Sequence, residues 1–300
     1  VTDVYEAIEK ISGVAVRKDE LLSLHTTLGV GGPCDLMVWA SSPDALASVV
    51  GVAGAEGTPL MVLGNGSNVL VRDGGVEGIV LRLADGFAMM ETGAARIKAG
   101  AGAPLAKIVS AATAAGIGGF EFLSGIPGTV GGAVAGNAGS ADEWISQRLI
   151  EITVLRPDAE EKTLEGDAME FGYRSAAIPA GHIVTGVALE GFSTDVESVR
   201  RMVEQKLEAR RLSQPVAERT AGCIFKNPPE GPAGKLIEEA GLKGLKVGGA
   251  QVSTVHANYI VNTGGATARE ILELIQVVRS RVRDSYGVGL DTEIKVIGRN

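Results

Sequence analysis

Apolar residues recur at helical spacing in several segments of the chain and crowd into short runs in others. Val4, Ile8 and Ile11 share one face of a helix predicted over Thr2–Ile11. Ser42-Pro43 opens a second helix, with serine at the cap, proline in the first turn, and Leu46, Val49, Val50 and Ala53 on one stripe. Pro104 opens a third, with Leu105, Ile108, Val109 and Ala112 inward and Gly116 as its stop. Asp195–Leu212 predicts a long amphipathic helix with Val196, Val199, Val203 and Leu207 inward. A short helix over Pro232–Ala240 closes at Gly241. Thr267-Ala-Arg-Glu270 is a capping box, and Ile271, Leu274, Ile275, Val278 and Val282 form the buried face behind it.

Strands are predicted at Leu60–Leu63, Val69–Val71, Ile79–Leu83, Ala88–Glu91, Arg96–Ala99, near Leu149–Leu155, at Ile183–Leu189 and at Glu293–Ile297. Short strands with occasional helices, rather than a regular alternation, indicate an α+β protein. The texture changes near Ser193. A domain boundary is therefore placed near residue 195, with the last strand free to return to the first domain.

Three hundred residues suffice for two domains and a substantial core. A hydrophobic content of 45% excludes a disordered chain, and the formal charge of −8 argues against a general nucleic-acid binder. No apolar run is long enough to span a bilayer. The first residues carry acids and no basic-then-apolar leader, so no secretory signal is expected. Cys34 and Cys223 are the only cysteines, without zinc spacing, and free thiols are expected. The three histidines are dispersed, and no metal site is predicted. From Arg200 to Lys226 basic residues outnumber acidic ones, against the sign of the whole chain. That segment is either a solvated helix face or a surface facing a polyanion.

Glycine is abundant, at 42 residues, and two clusters stand out. In Leu60–Val71, Gly64-Asn65-Gly66-Ser67-Asn68 separates two apolar runs. Successive backbone N–H groups in such a turn make an anion-binding concavity, to which Asn and Ser add donors. No helix follows, so the segment is neither a P-loop nor a dinucleotide fingerprint of the strand–turn–helix type. The alternative is a tight hairpin with polar turn residues. The second cluster, Ser124–Gly139, carries too many glycines for an ordinary helix and too few side chains for a strand. Such backbone lies against a flat group, admits a pyrophosphate, or packs on other backbone. Two such loops suggest one large cofactor gripped in two places.

Three residues elsewhere invite chemistry. Arg174 sits in Phe-Gly-Tyr-Arg-Ser-Ala-Ala, among small and apolar neighbours, and calls for an acidic partner or an anionic ligand unless it is a surface residue. Cys223, in Ala-Gly-Cys-Ile-Phe-Lys-Asn-Pro, is either a small buried hydrophobe or a functional thiol. Glu293 enters the final apolar strand, where alternation puts Glu293 and Lys295 on one face and Ile294 and Val296 on the other.

Together these segments resemble the UDP-N-acetylenolpyruvoylglucosamine reductase (UDP-N-acetylmuramate dehydrogenase) family. The resemblance runs from His-Thr-Thr-Leu-Gly-Val-Gly-Gly-Pro at 25–33 through both glycine clusters, the Arg174 and Cys223 segments and the 241–262 stretch, to Leu-Asp-Thr-Glu-Ile-Lys-Val-Ile-Gly at 290–298. It implies an α+β fold of the vanillyl-alcohol-oxidase (PCMH) type: a two-part FAD-binding domain over 1–195, divided near 85–90, and a smaller α+β substrate domain over 196–288. Residues 289–300 then form the returning strand. FAD is expected to be noncovalent, with NADPH as hydride donor and a UDP-sugar as substrate. The setting is cytoplasmic peptidoglycan synthesis, with no membrane or nucleic-acid partner. The oligomeric state stays open, a monomer included.

By that resemblance Leu63, Gly64, Asn65, Gly66, Ser67 and Asn68 cradle the FAD pyrophosphate. Ser124, Gly125, Ile126, Pro127, Gly128, Thr129, Gly131, Gly132, Asn137 and Gly139 line the rest of the cofactor. Arg174 matches the family's cation on the enolpyruvyl carboxylate, Glu293 its carboxyl partner, and Cys223 the proton donor, a position where many members carry Ser. Arg211 maps to the pyrophosphate contact of the UDP-sugar, joined by Asn227 and Lys243. The short passage from Ile183 into the Asp195 helix lacks the substrate-covering Tyr loop found in one branch. Runner-up readings are another flavin oxidase of the same fold and a flavin-free nucleotide-sugar binding protein.

Overall fold

In the computed structural model of the protein, which describes residues 2–140 and 143–300, the two strands flanking Gly64–Asn68 do not pair with each other. Leu60–Val62 runs parallel to Val76–Leu83, whereas Val69–Val71 runs parallel to the C-terminal strand Lys295–Ile297. The hairpin alternative is overturned, because both neighbours of the loop find longer-range apolar partners. By its contacts the chain divides into two units that interleave along the sequence. The first comprises Val1–Lys18, Leu36–Asn65 and Gly78–Ala209; the second comprises Asp19–Asp35, Gly66–Glu77 and Arg210–Asn300.

The first unit is built on an antiparallel sheet of five strands, in the order Glu161–Glu165, Leu149–Leu155, Ile183–Glu190, Arg96–Gly100, Met90–Thr92. Ile97, Ile152, Val187 and Leu189 of this sheet pack with Leu105, Ile108 and Ala112 of the helix Leu105–Ala114 and with Phe120 and Phe122. A second sheet has the order Val14–Leu21, Pro33–Ala40, Val76–Leu83, Leu60–Val62. Its first two strands are absent from the sequence reading: Val14–Leu21 carries the charged run Arg17–Glu20, which hides its alternation. The helix Pro43–Ala55 starts as predicted, with Ser42 Oγ accepting from the Ala45 N–H at 3.2 Å. Its Leu46 and Val49 meet Leu36, Val38, Ile79 and Leu81 in a core of their own.

In the second unit the strands Arg219–Cys223, Tyr259–Asn262, Ala250–Val252 and Lys246–Val247 form an antiparallel sheet in that order. The helix Ala268–Tyr286 buries Ile271, Leu274, Ile275, Val278 and Val282, the face its periodicity predicted. Each such aliphatic side chain contributes about 1.5–3 kcal/mol relative to exposure. The capping box forms: Thr267 Oγ1 accepts from the Glu270 N–H at 3.2 Å, and the Glu270 carboxylate accepts from the Thr267 N–H at 3.0 Å. Asp73 adds a carboxylate to the same end, accepting from the N–H groups of Ala268 and Arg269 at 2.8 and 3.0 Å.

Two expectations are corrected. Ser124–Gly139 does contain a helix, Val130–Ala135, despite its glycines. Thr129 caps it through the Gly132 N–H, and burial of Val130, Ala133 and Val134 outweighs the poor propensity. The long helix runs over Val196–Ser213, but of the four residues expected inward only Val199 is fully buried; Val196 is 39% and Leu207 45% exposed. Among the described residues no helix is long and apolar enough to cross a membrane.

Candidate active site

The two glycine-rich loops, some sixty residues apart in sequence, meet in the first unit. A Cβ placed on Gly64 would stand 2.7 Å from Thr129 Oγ1, so only a bare backbone fits between them. Around this junction lies a cleft of about 190 Å³, lined by Leu63, Gly64, Asn65, Thr129, Gly131 and Gly132 from the predicted loops. Its other walls were not foreseen: Arg82, Ala101, Gly102, His182 and Val184 come from strand ends and connections with no local signature. Arg82 supplies the cleft's cation and donates to Asn65 Oδ1 at 3.2 Å. Burial holds this guanidinium below its ordinary range.

The chemistry of the cleft fits a flavin nucleotide. Side-chain-free backbone admits a flat ring or a pyrophosphate, and Arg82 with Asn65 supplies polar contacts to an anionic chain. Ser124 Oγ, which does not line the cleft, is buried without a hydrogen-bond partner among the described residues. Asn137, also buried, is spent on structure: its amide donates to the Gly172 carbonyl at 3.0 Å, and its oxygen accepts from the Ser146 N–H at 3.3 Å. Gly125 and Gly128 turn the backbone at positive φ, while Ile126 packs against the core of the sheet. Pro127 stands between them.

Arg174 belongs to the same unit. Its backbone has φ of 56°, and its Nη1 donates to the Gly139 carbonyl at 3.1 Å. The guanidinium lies over the rings of Trp144 and Tyr173, at 5.2 and 5.6 Å from their centroids. The carbonyl and the two rings hold the cation in place. The second loop therefore positions Arg174 directly, through Gly139.

The second unit holds the other part of the first loop. Gly66, at φ of 59°, abuts the His25 carbonyl and the Thr26 backbone so closely that any side chain would displace them. Its own carbonyl accepts from the Thr27 N–H at 3.2 Å. Ser67 follows, and Asn68 reaches the backbone carbonyl of Glu293 at 3.5 Å. The Glu293 N–H donates to the Ile224 carbonyl at 2.8 Å, and Phe225 bridges Thr292. Cys223, Glu293 and Asn68 are thus brought together by backbone pairing.

Cys223 is half-buried and ends its strand opposite Tyr259, whose side chain shares a hydrogen bond with it. The thiol and the carboxylate of Glu293 both act to keep that hydroxyl protonated, after burial, and Arg210 acts against them. Sequence reasoning missed Tyr259 and Arg210; the only signal was a hydroxyl-bearing ring in the apolar run Tyr259–Val261. Arg211, the predicted contact, is exposed on the same helix. Asn227 caps the helix Ala233–Glu239, its oxygen accepting from the Ala233 N–H at 3.0 Å, which leaves the amide to donate elsewhere. Lys243 pairs with Glu238 at 2.7 Å on the surface. Both cysteines are free, and no cluster among the described residues has the makings of a metal site.

Residues 34–165 match the FAD binding domain family, and residues 214–297 match the C-terminal domain of UDP-N-acetylenolpyruvoylglucosamine reductase. A reductase of that name from Desulfosudis oleivorans is 41% identical over 297 residues, covering 95% of each chain. The chain belongs to this family. The reductase from Anaeromyxobacter sp. (strain Fw109-5) is likewise 41% identical over 94% of this chain and 89% of its own length. The crystal structure of the Thermus caldophilus reductase superposes with a TM-score of 0.84 at 39% identity, covering 95% of this chain and all of that one. A berberine bridge enzyme variant shares the fold at a TM-score of 0.51 and 10% identity, over 65% of this chain and 44% of its own. The expected fold class holds: α+β, with a flavin-oxidase-type FAD-binding domain and a reductase-type C-terminal domain.

Proposed function

We propose that this chain reduces the enolpyruvyl group of UDP-N-acetylenolpyruvoylglucosamine to UDP-N-acetylmuramate, with NADPH as reductant, in peptidoglycan synthesis. The observation that carries the reading is the end-to-end identity with reductases of that name. The cleft lined by bare glycine backbone supports it. FAD, held without a covalent link by Leu63–Asn68 and Ser124–Gly139, supplies hydride transfer from NADPH to the methylene carbon of the substrate when bound.

The chain's own residues manage charge and proton. As the methylene carbon gains hydride, the electron pair of the double bond moves to the carbon bearing the carboxylate. Arg174, positioned by the Gly139 carbonyl and the Trp144 ring, steadies the resulting enolate. Cys223 then gives its proton to that carbon: the S–H bond breaks, a C–H bond forms, and a thiolate remains. Glu293 shares a hydrogen bond with the substrate carboxyl. Arg211, Asn227 and Lys243 hold the UDP moiety. Residues 1–195 serve the cofactor and 196–288 the substrate, with 289–300 returning as the terminal strand. Both nucleotide reactants belong to the cytoplasm, and the enzyme is placed there with them.

The test is an anaerobic assay of purified protein with NADPH and the UDP-enolpyruvyl sugar, following nicotinamide and flavin absorbance together. NADPH bleaches the flavin, and the sugar restores its colour. Bleaching without recovery on adding the sugar overturns the reading.

A further inference from the structure

Cys223 and Tyr259 are register partners on antiparallel strands, just beyond an irregularity between Thr220 and Cys223. Side chains directly opposite in such a pair stand close enough to interact. The pairing is locked on both sides. Ile224 N–H donates to the Asn258 carbonyl at 2.8 Å, and the buried Asn258 side chain closes a two-way clamp on Phe225, accepting from its N–H at 2.9 Å and donating to its carbonyl at 2.8 Å. The His256 ring packs edge-on with the phenol, the two ring centroids 5.0 Å apart. Two polar side chains are thus held against each other by backbone that cannot slide.

We propose that Tyr259 is a positioning residue for the Cys223 thiol: its hydroxyl donates a hydrogen bond to the sulfur and stabilises the thiolate left after proton transfer. This rests on the reading of Cys223 as proton donor. A thiol gives up its proton more readily when the anion it leaves behind accepts a hydrogen bond. Tyr259 keeps its proton available to donate, because burial above all, then the thiol and the Glu293 carboxylate, push its own ionisation well above the usual range, opposed by Arg210. The charged and titratable groups around the pair come from three parts of the chain. Arg210 lies on the helix Val196–Ser213, Glu293 precedes the last strand, and His256 precedes the Tyr259 strand that faces Cys223. His256 is held toward its neutral form by burial and by Lys243, and its Nδ1 accepts from the Asn258 N–H at 3.2 Å.

The experiment uses the FAD-loaded enzyme in a Cys34→Ala background, so that alkylation by iodoacetamide reports Cys223 alone. Tyr259→Phe keeps the ring and removes the donor. The midpoint of the alkylation rate against pH should rise by about one unit. Flavin reduction by NADPH should be unchanged, and flavin reoxidation by the enolpyruvyl sugar slowed roughly tenfold. As a second probe, incorporating 3-fluorotyrosine strengthens the donor in the otherwise unaltered chain and should move the midpoint the opposite way. An alkylation midpoint indifferent to both changes overturns the proposal. A shifted midpoint with an unslowed reoxidation step overturns it through its premise, by removing Cys223 from the proton transfer.

Discussion

Gly64 and Thr129 touch where two loops from distant parts of the sequence converge, at a spacing that leaves no room for a methyl group on the glycine. The Thr129 hydroxyl cannot swing away freely, since it also caps the helix Val130–Ala135. Gly64→Ala should therefore cost the cap, about 1 kcal/mol, and narrow the cleft. Fluorescence of released FAD is expected to show weaker cofactor retention with only a small drop in melting temperature. Gly66→Ala should be worse on both counts, because its obstacles are backbone atoms and its φ is positive.

Removing the proposed proton donor separates the two half-reactions. Cys223→Ala should leave flavin reduction by NADPH intact and slow the step that consumes the enolpyruvyl sugar by roughly 10²–10⁴-fold. Stopped-flow traces with the reverse pattern, a slowed first step and a normal second one, would take Cys223 out of the chemistry.

Arg174 offers a charge held by a carbonyl and two ring faces. Arg174→Ala should lower kcat/KM for the sugar by about 10²–10³-fold while the flavin stays bound. Normal turnover by this variant would assign the carboxylate to another cation. Arg174→Lys should recover only part of the loss, since an ammonium stacks on rings less well than a guanidinium.

Cys34 makes alkaline stability pH-dependent. Burial, aided by Glu20, Asp35 and Asp19, pushes its thiol from 9.0 to about 11, against the lowering effect of its backbone hydrogen bond. The folded state thus holds this proton more tightly than the unfolded chain. The contribution is fully present below the unfolded value and fades as pH climbs from about 9 through about 11. Melting temperatures measured across that window should fall less steeply for Cys34→Ala than for the wild-type chain.

Local order was largely legible in the chain itself. Helix starts at Ser42 and Thr267, the apolar face from Ile271 to Val282, and the strands Val69–Val71 and Leu149–Leu155 follow from side-chain chemistry within a few residues of each position. The glycine clusters, Arg174, Cys223 and Glu293 also stood out, each as a residue type at odds with its neighbours. What sequence could not decide was company. Whether Val69–Val71 pairs with the strand before it or with one more than two hundred residues later depends on which partner buries more apolar surface, a comparison no local pattern contains. The helix inside Ser124–Gly139, the cleft wall at Arg82 and the hydroxyl opposite Cys223 arise in the same way. Periodicity acts along one dimension, whereas packing compares contacts between distant segments in three, and the proton's neighbour in this protein is a product of the second.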